Sequence, residues 1–482
     1  MNNYYEADYQ PTGLIDYDDN PLIEALPPIL DDDNATLALI KKPPLPSKAE
    51  LELPAKLRLH AVNRLRDVVL PLVVHLEIEE EFSQLIRRGY TNRNPFARNT
   101  VAMRHAVNLA DVSKTGFCSS ANNMTVIGLS GMGKTTALKA VCSLYPQVIQ
   151  HNKYKEHLFI QTQVVWLKLE CPHDGSMRGF CAAFFEALDN ALGVEEYGQL
   201  ALSRASIDIL LQHIGRLCRT YYVGAIVIDE LQHLIANSGG KEKLLNFFVT
   251  LTNSAGVPLV YVGTNAMLEL FTSVVRNARR ASSMALVSLD RFNKDDANWL
   301  TLAHSLWTYS WMRTPTPLSD ELLDKLYEHS QGNVDFLVKL LTLTQKLAIS
   351  EELETIEPAL IERVYTQHMR LLHRPIMALK NGEPKELLAF DDLMPAKDMI
   401  AEMMNIDFSR KIRRANLSHL LNESQNKRPF TTPSSAQAKE KNHLSAVQND
   451  EVSIAKDLAK SSDLRADLAA LGWTKSQLHP PE

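Results

Sequence analysis

The chain has 482 residues, of which 45% are hydrophobic and 22% are charged. This composition is ordinary for a globular protein of two or three domains, and it excludes collagen-like, coiled-coil and wholly disordered classes. No apolar run reaches the roughly 18 residues of a membrane span, and the acidic N-terminus fits neither a secretory nor a mitochondrial signal, so we expect a cytoplasmic protein. The five cysteines have no metal-like spacing, which favours reduced thiols.

The net charge of −6 hides an uneven distribution along the chain. Residues 1–33 hold nine acidic residues and no Lys or Arg, so the remainder of the chain carries a net charge of +3. Contact with nucleic acid depends on local clusters of positive charge rather than on the sum over the whole chain. The net charge therefore neither excludes nor indicates nucleic acid as a binding partner.

The first part of the chain divides at its prolines. Residues 1–47 are acidic and rich in proline, and we expect a flexible leader that a partner orders. Residues 48–100 form a helical segment in which Pro71 separates two helices, and a loop occupies residues 90–100.

Residues 101–290 alternate short apolar runs with longer helical stretches. The runs are Met124–Ile127, Val164–Leu169, Ala225–Ile228, Leu259–Val262 and Ala285–Leu289. Buried strands separated by helices indicate an α/β fold with a five-stranded parallel sheet covered on both faces.

The rest of the chain contains no further strand pattern. Residues 291–372 predict a small helical domain, and residues 373–482 a C-terminal extension with a flexible tail that docks partners. Within this tail the basic run Arg410–Arg414 either holds phosphate or an acidic partner, or is a solvated helix face. Trp473 either anchors a partner or packs back on its own chain.

The strongest motif lies between the first predicted strand and the helix after it. The stretch from Gly128 to Thr135 fits G-x-x-x-x-G-K-[ST], a loop whose backbone N–H groups wrap phosphates. Lys134 would reach the β- and γ-phosphates, and the Thr135 hydroxyl would bind Mg²⁺. The motif predicts ATP and Mg²⁺ as cofactors, with the following residues at the nucleotide: Gly128, Ser130, Gly131, Met132, Gly133, Lys134, Thr135 and Thr136.

Polar residues end two further strands. Asp229 and Glu230 follow Ala225–Ile228, which predicts Asp229 as a second Mg²⁺ partner beside Thr135 and Glu230 as the residue that polarises the attacking water. If the Leu259–Val262 strand lies between the other two, Thr264 or Asn265 would face the γ-phosphate. A strand that runs into a Gly-Thr-Asn turn is also common without any such role.

The order of these features resembles an AAA+ ATPase, and more finely the TnsC/TniB family of ATPase regulators of heteromeric DNA transposons, some of them CRISPR-associated. The finer resemblance rests on four segments and covers roughly residues 75–350. They are Tyr90-Thr-Asn-Arg-Asn-Pro95, Val165-Trp-Leu-Lys-Leu-Glu-Cys-Pro172-His-Asp-Gly, Ile228-Asp-Glu-Leu-Gln-His233 and Val262-Gly-Thr-Asn265.

This resemblance implies an ATP-dependent homo-oligomer, ring or helical filament, on double-stranded DNA. It implies partners of two further kinds, transposase subunits and a target-selection protein that is TniQ/TnsD-like or a CRISPR effector complex. It also implies an arginine, supplied to the neighbouring subunit's nucleotide, for which the candidates are Arg276, Arg279 and Arg280. The other interpretation of these arginines is a solvated basic helix face.

Two positions bear on how far the resemblance extends. Asp335, in Gln331-Gly-Asn-Val-Asp335, stands where many AAA+ proteins carry a nucleotide-sensing arginine, which leaves Lys339 as a weak substitute. The DNA-backbone contacts would come from Arg178 with Lys153 and Lys155 upstream, and each of the three is equally an ordinary surface residue.

The sequence therefore predicts an ATPase that regulates DNA transposition. In its ATP state it would assemble on target DNA and bridge a target-selection protein to the transposase, and hydrolysis would release it. A replication-initiator-like loader and a signalling or defence NTPase with only protein partners stay open, since fold-level similarity does not separate these functions.

Overall fold

The computed structural model describes residues 4–106, 112–234, 241–267 and 284–382. All of them lie in the first of two compact units, Met1–Gln425; the second, Asn426–Glu482, falls outside the described residues. Arg276, Arg279, Arg280, the basic run Arg410–Arg414 and Trp473 also lie outside them.

A five-stranded parallel sheet forms the centre of the fold, in the order β5-β6-β7-β2-β8. The predicted α/β class is confirmed, and each predicted strand lies within two residues of its predicted bounds. The strand Leu259–Gly263, which precedes Asn265, lies between two other strands. One of these precedes the glycine-rich loop, and the other ends at Asp229. The strands of the described residues are β1 Tyr4–Glu6, β2 Asn123–Gly128, β3 Val148–Tyr154, β4 His157–Val164, β5 Trp166–Glu170, β6 Ala225–Asp229, β7 Leu259–Gly263 and β8 Met284–Leu289.

Helices cover both faces of this sheet. Alternate residues of a strand point to opposite faces, so Val227 joins one apolar core while Ile226 and Ile228 join the other. The α-helices of the described residues are α1 Pro21–Glu24, α2 Asp32–Leu39, α3 Lys48–Leu51, α4 Ala55–Ala61, α5 Val73–Thr91, α6 Arg98–His105, α7 Lys134–Cys142, α8 Met177–Leu192, α9 Gly198–Leu202, α10 Ile207–Thr220, α11 Lys241–Thr250, α12 Ala297–Trp307, α13 Asp320–Ser330, α14 Val334–Ser350, α15 Pro358–His368 and α16 His373–Asn381.

The acidic leader is folded onto the body, so the expectation of a flexible segment over residues 4–47 is wrong. Strand β1 pairs in parallel with β3, which pairs antiparallel with β4 in a second, three-stranded sheet. Leu22 and Ile23 of α1 are buried in the core, and Tyr154 donates a hydrogen bond to Glu24. A few apolar side chains in an acidic stretch are therefore sufficient to hold it in place.

Helices α12 to α15 lie in the range predicted to form a small helical domain and are called the lid below. The N-terminal segment 55–67 packs on lid helix α14, and Arg58 of α4 donates to Trp311 O at 2.9 Å and pairs with Glu354. Helix α5 packs instead on β2, β8 and α7. The helical segment of residues 48–100 therefore contacts both the lid and the sheet.

The loop predicted for residues 90–100 is shorter than expected. Helix α5 continues through Thr91 and α6 begins at Arg98. Tyr90 lies in the core, where its hydroxyl donates to Tyr222 O at 2.7 Å, and this contact favours the continued helix. In the part of the chain that the structure describes, every helix is too short or too polar to cross a bilayer.

Candidate active site

The glycine-rich loop runs from the end of β2 to the start of α7. Gly131 and Gly133 have φ of +81° and +89°, a left-handed conformation that glycine adopts without steric cost. A Cβ at Gly128 would lie 2.2 Å from Leu289 O, and one at Gly131 would lie 2.7 Å from Asn333 Oδ1. A Cβ at Gly133 would meet nothing within 4 Å. The loop thus leaves open space beside the N-terminus of α7, a position suited to a phosphate.

Lys134 is the first residue of α7, and its side chain turns back over the loop. Its Nζ lies 3.0 Å from Gly128 O and 2.9 Å from Leu129 O, and the residue is only 8% exposed. A buried ammonium held on backbone carbonyls needs only side-chain rotation to reach a phosphate in the same loop, since its four-carbon stem is flexible. This position agrees with the predicted phosphate contact.

Thr135 and Asp229, which are predicted to bind Mg²⁺, lie in contact at the carboxyl ends of the sheet strands. Thr135 Oγ1 donates to Asp229 Oδ2 at 2.9 Å. Asp229 is 2% exposed, and its Oδ1 accepts the backbone N–H of Glu230 at 3.1 Å. A hydroxyl and a buried carboxylate are hard oxygen donors of the kind that Mg²⁺ prefers, so these residues fit that ion.

Lys168, which was not predicted from the sequence, also contacts the Asp229 carboxylate. Lys168 Nζ lies 2.9 Å from Asp229 Oδ2 and 3.9 Å from Glu170 Oε1. The register of β5 and β6 sets Lys168 opposite Val227, two residues before Asp229, so Lys168 is diagonal to Asp229 on one face of the sheet. The available signal was a single charge inside the apolar run Trp166-Leu-Lys-Leu.

Glu230 is held by a second missed residue, Gln232. Glu230 has φ of +56°, which costs a non-glycine residue about 1–2 kcal/mol. Its Oε2 accepts a hydrogen bond from Gln232 Nε2. Gln232 Oε1 in turn accepts the backbone N–H of Thr264, at 3.2 Å, where β7 ends. Gln232 thereby links the carboxylate to the next strand.

Thr264 and Asn265 are both buried at the end of β7, where the predicted γ-phosphate contact was expected. Asn265 begins the short 3₁₀ turn Asn265–Met267. Among the described residues, Thr264 Oγ1 has no hydrogen-bond partner. The strand order places these residues between the glycine-rich loop and Asp229, but their role remains a prediction.

The lid contacts the glycine-rich loop directly. Asn333 Nδ2 donates to Ser130 O at 2.8 Å, and the backbone N–H of Asp335 donates to Gly131 O at 3.0 Å. Lys339 Nζ lies 2.5 Å from Asp335 Oδ2. The position expected to carry a sensing arginine therefore contributes a backbone donor to the loop, while its carboxylate pairs within α14.

The three residues proposed to contact DNA each have partners within the chain. Lys153 lies 3.5 Å from Glu156, and Lys155 pairs with Asp19 of the leader, a contact that raises the pKa of Lys155. The Arg178 guanidinium donates to three backbone carbonyls at the end of α9 and in the loop after it, those of Ala201, Ser203 and Ala205. Arg178 therefore has a structural role, whether or not it also meets DNA.

The segment Tyr90–Pro95, which carries much of the finer resemblance, is largely internal. Arg93 donates a hydrogen bond at 2.7 Å to Val223 O, two residues before β6. Its guanidinium carbon lies 4.6 Å from the centroid of the Tyr90 ring, over which it stacks. Burial lowers the pKa of Arg93 to about 10. Gly224 has no room for a Cβ, which would lie 2.6 Å from the Tyr90 hydroxyl. This segment thus positions the strand that ends at Asp229.

Comparison with known proteins identifies the domain. Residues 118–271 match the family model described as an AAA domain. No curated protein matches the sequence. Among solved structures, the Aeropyrum pernix ORC1 protein in complex with DNA is 15% identical, with a TM-score of 0.35, over 63% of this chain and 77% of that one. Drosophila ORC bound to DNA is 13% identical, with a TM-score of 0.37, over 80% and 87%. The Thermotoga maritima RuvB branch migration motor is 14% identical, with a TM-score of 0.30, over 67% and 80%. Similarity at this level indicates nothing about what this chain binds.

The family match, the sheet order and the glycine-rich loop together define the class. The chain contains an AAA+ P-loop ATPase domain, with a five-stranded parallel sheet and helices around it. That fold implies nucleotide binding, and the loop Gly128–Thr135 stays the predicted site.

Proposed function

We propose that this protein hydrolyses ATP as a switch that controls its assembly. The observation that carries this proposal is the junction of the phosphate loop with the end of β6, where Thr135 Oγ1 lies 2.9 Å from Asp229 Oδ2 and Glu230 follows Asp229. A hydroxyl, two carboxylates and a loop lysine at one sheet edge are the groups that phosphoryl transfer to water requires.

Each residue has a separate part in the proposed hydrolysis. The loop N–H groups and Lys134 bind the phosphates, and Thr135 with Asp229 would hold Mg²⁺, which neutralises negative charge on them. Glu230 orients and polarises the attacking water as a general base. Asn265 would contact the γ-phosphate or that water. Arg276, Arg279 or Arg280 of a neighbouring subunit would stabilise the transition state, so hydrolysis would depend on assembly.

The finer part of the proposal is regulation of DNA transposition. The support is the resemblance of residues 90–95 and 165–175 to TnsC/TniB ATPases. In this proposal the ATP state forms a ring or filament on the backbone of duplex DNA, and the assembly joins a target-selection protein to transposase subunits. Hydrolysis then shifts the population toward release, because the γ-phosphate is lost.

Electron microscopy of the full chain with duplex DNA tests this proposal, with a non-hydrolysable ATP analogue compared with ADP. Assemblies on DNA only with the analogue are expected. Lys134→Ala should abolish nucleotide binding and assembly, whereas Lys139→Ala, on the exposed side of the same helix, should change neither. Glu230→Gln should bind ATP and stay assembled.

Three results would contradict the proposal at different levels. Absence of assembly in both states favours an NTPase with only protein partners. Translocation along or unwinding of DNA favours an initiator-like loader. An unchanged lifetime of Glu230→Gln on DNA refutes the use of hydrolysis as the signal for release.

A further inference from the structure

Lys168 places a positive charge on the carboxylate that the proposed function assigns to Mg²⁺. Its Nζ lies 2.9 Å from Asp229 Oδ2, the same oxygen that accepts the Thr135 hydroxyl. We infer that Lys168 is a resident counter-ion that Mg²⁺ must displace from Asp229, so that this lysine sets how much Mg²⁺ the site needs. The inference rests on the proposed nucleotide site.

The surroundings of Asp229 make an internal cation necessary. The residue is 2% exposed, and a carboxylate removed from water is unstable unless it is paired and hydrogen-bonded. Oδ1 accepts the Glu230 N–H, and Oδ2 accepts both Thr135 and Lys168. Lys168 is thus the cation that neutralises this buried charge among the described residues.

A dication and an ammonium that share Oδ2 repel each other. Mg²⁺ binds oxygen at about 2.0–2.1 Å, or through one of its own waters. The two cations would then lie a few ångströms apart beside a buried carboxylate, where like charges repel more strongly than in water. Movement of the ammonium away from Oδ2 therefore favours the binding of Mg²⁺.

The structure supplies a place for the displaced ammonium. Glu170 Oε1 lies 3.9 Å from Lys168 Nζ, and the Glu170 side chain is 75% exposed, whereas that of Lys168 is 18% exposed. Glu170 pairs with Asp229 in the strand register, so both carboxylates lie within reach of one flexible lysine stem. Lys168 can exchange Asp229 for Glu170 without leaving the sheet edge.

The experiment compares the wild type with Lys168→Gln and Lys168→Met in the full chain. The thermal unfolding midpoint is measured with saturating non-hydrolysable ATP analogue as free Mg²⁺ is raised from zero. Nucleotide binding in chelator is measured separately by fluorescence. In both variants the Mg²⁺ concentration for half-maximal stabilisation should fall at least about tenfold, the factor expected from one charge-assisted contact.

Two controls separate this effect from a general loss of charge or fold. Lys168→Arg keeps a cation and should keep the wild-type Mg²⁺ requirement, and Lys139→Gln on α7 removes a remote charge and should also keep it. Gln at position 168 can still donate to Asp229, so Lys168→Gln provides the measurement if Lys168→Met does not fold. Without Mg²⁺, both neutral variants should unfold at lower temperature than the wild type.

The outcomes distinguish this inference from the proposal beneath it. Equal Mg²⁺ requirements in the wild type and the neutral variants, with nucleotide bound by all, overturn the role of Lys168 alone. Loss of nucleotide binding in chelator by the neutral variants makes Lys168 a phosphate contact, which also overturns it. Absence of nucleotide binding by the wild type refutes the proposed function and the inference together.

Discussion

Removal of the Asn333 side chain should break one of the two hydrogen bonds described above between the lid and the glycine-rich loop. Asn333 is fully buried and acts twice: Oδ1 accepts the N–H of Phe336 at 3.2 Å as the N-cap of α14, and Nδ2 donates to Ser130 O at 2.8 Å. Loss of an N-cap costs about 1 kcal/mol. Loss of a further hydrogen bond costs about 0.5–1.5 kcal/mol. Asn333→Ala should therefore destabilise the protein by about 2 kcal/mol.

The matched control is Ser319→Ala in the same lid. Ser319 Oγ accepts the N–H of Leu322 at 3.3 Å as the N-cap of α13, and the side chain is exposed. This change removes a cap and leaves the hydrogen bonds from the lid to the loop intact. The expected loss is about 1 kcal/mol.

Urea unfolding and nucleotide binding are the two assays. Asn333→Ala should lose more stability than Ser319→Ala, and its Kd for ADP should rise about tenfold because the loop loses one of its hydrogen bonds to the lid. Ser319→Ala should bind ADP as the wild type does. Equal losses of stability in the two variants, with both Kd values unchanged, would refute the reasoning that the lid orders the loop.

Two further predictions concern Gln232 and His151. Gln232→Glu keeps the acceptor for the Thr264 N–H but places a second carboxylate against Glu230. The kcat for ATP hydrolysis should therefore fall at least about tenfold with KM unchanged. A matched rise in KM would instead indicate that Gln232 has a nucleotide-binding role. His151 is hydrogen-bonded to Tyr9 of the leader, and burial lowers its pKa to about 4, below the 6.5 of the unfolded chain. The unfolded state therefore takes up a proton first as the pH drops. The free energy of unfolding should then fall between pH of about 6.5 and 4. The protection factor for hydrogen exchange at residues 4–9, which is corrected for the intrinsic pH dependence of amide exchange, should therefore fall over that pH range in the wild type. It should lose this dependence in His151→Gln; an unchanged dependence would exclude His151 as its source.

The central sheet was predictable because its strands are short, mainly apolar runs that alternate with longer helical stretches. The position of β7 beside β6 was predicted only as a condition, since strand order depends on contacts far apart in the sequence. The glycine-rich loop and the pair Asp229 and Glu230 were found from motif and context alone. The packing of these elements then brought Thr135 and Asp229 together, as expected.

The parts that were missed depend on tertiary contacts. Strand β1 has three exposed residues and a partner more than a hundred residues away, so no local pattern indicates it. The leader has the composition of a disordered segment, yet Leu22 and Ile23 anchor it. Lys168 and Gln232 meet the site only through strand register and turn geometry. A single charge in an apolar strand is a useful sign of such a residue.

The N-terminal segment has a mechanical consequence for the lid. Helix α4 packs on lid helix α14, whereas α5 packs on the sheet, so residues 68–72 join the lid to the sheet just as residues 290–296 do. Val69 is also bonded to Lys41 by two backbone hydrogen bonds, of 2.8 and 3.0 Å. The lid is therefore joined to the sheet by two chain segments, which restrict its movement relative to the sheet more than one connection would. The leader is bonded to one of these two segments.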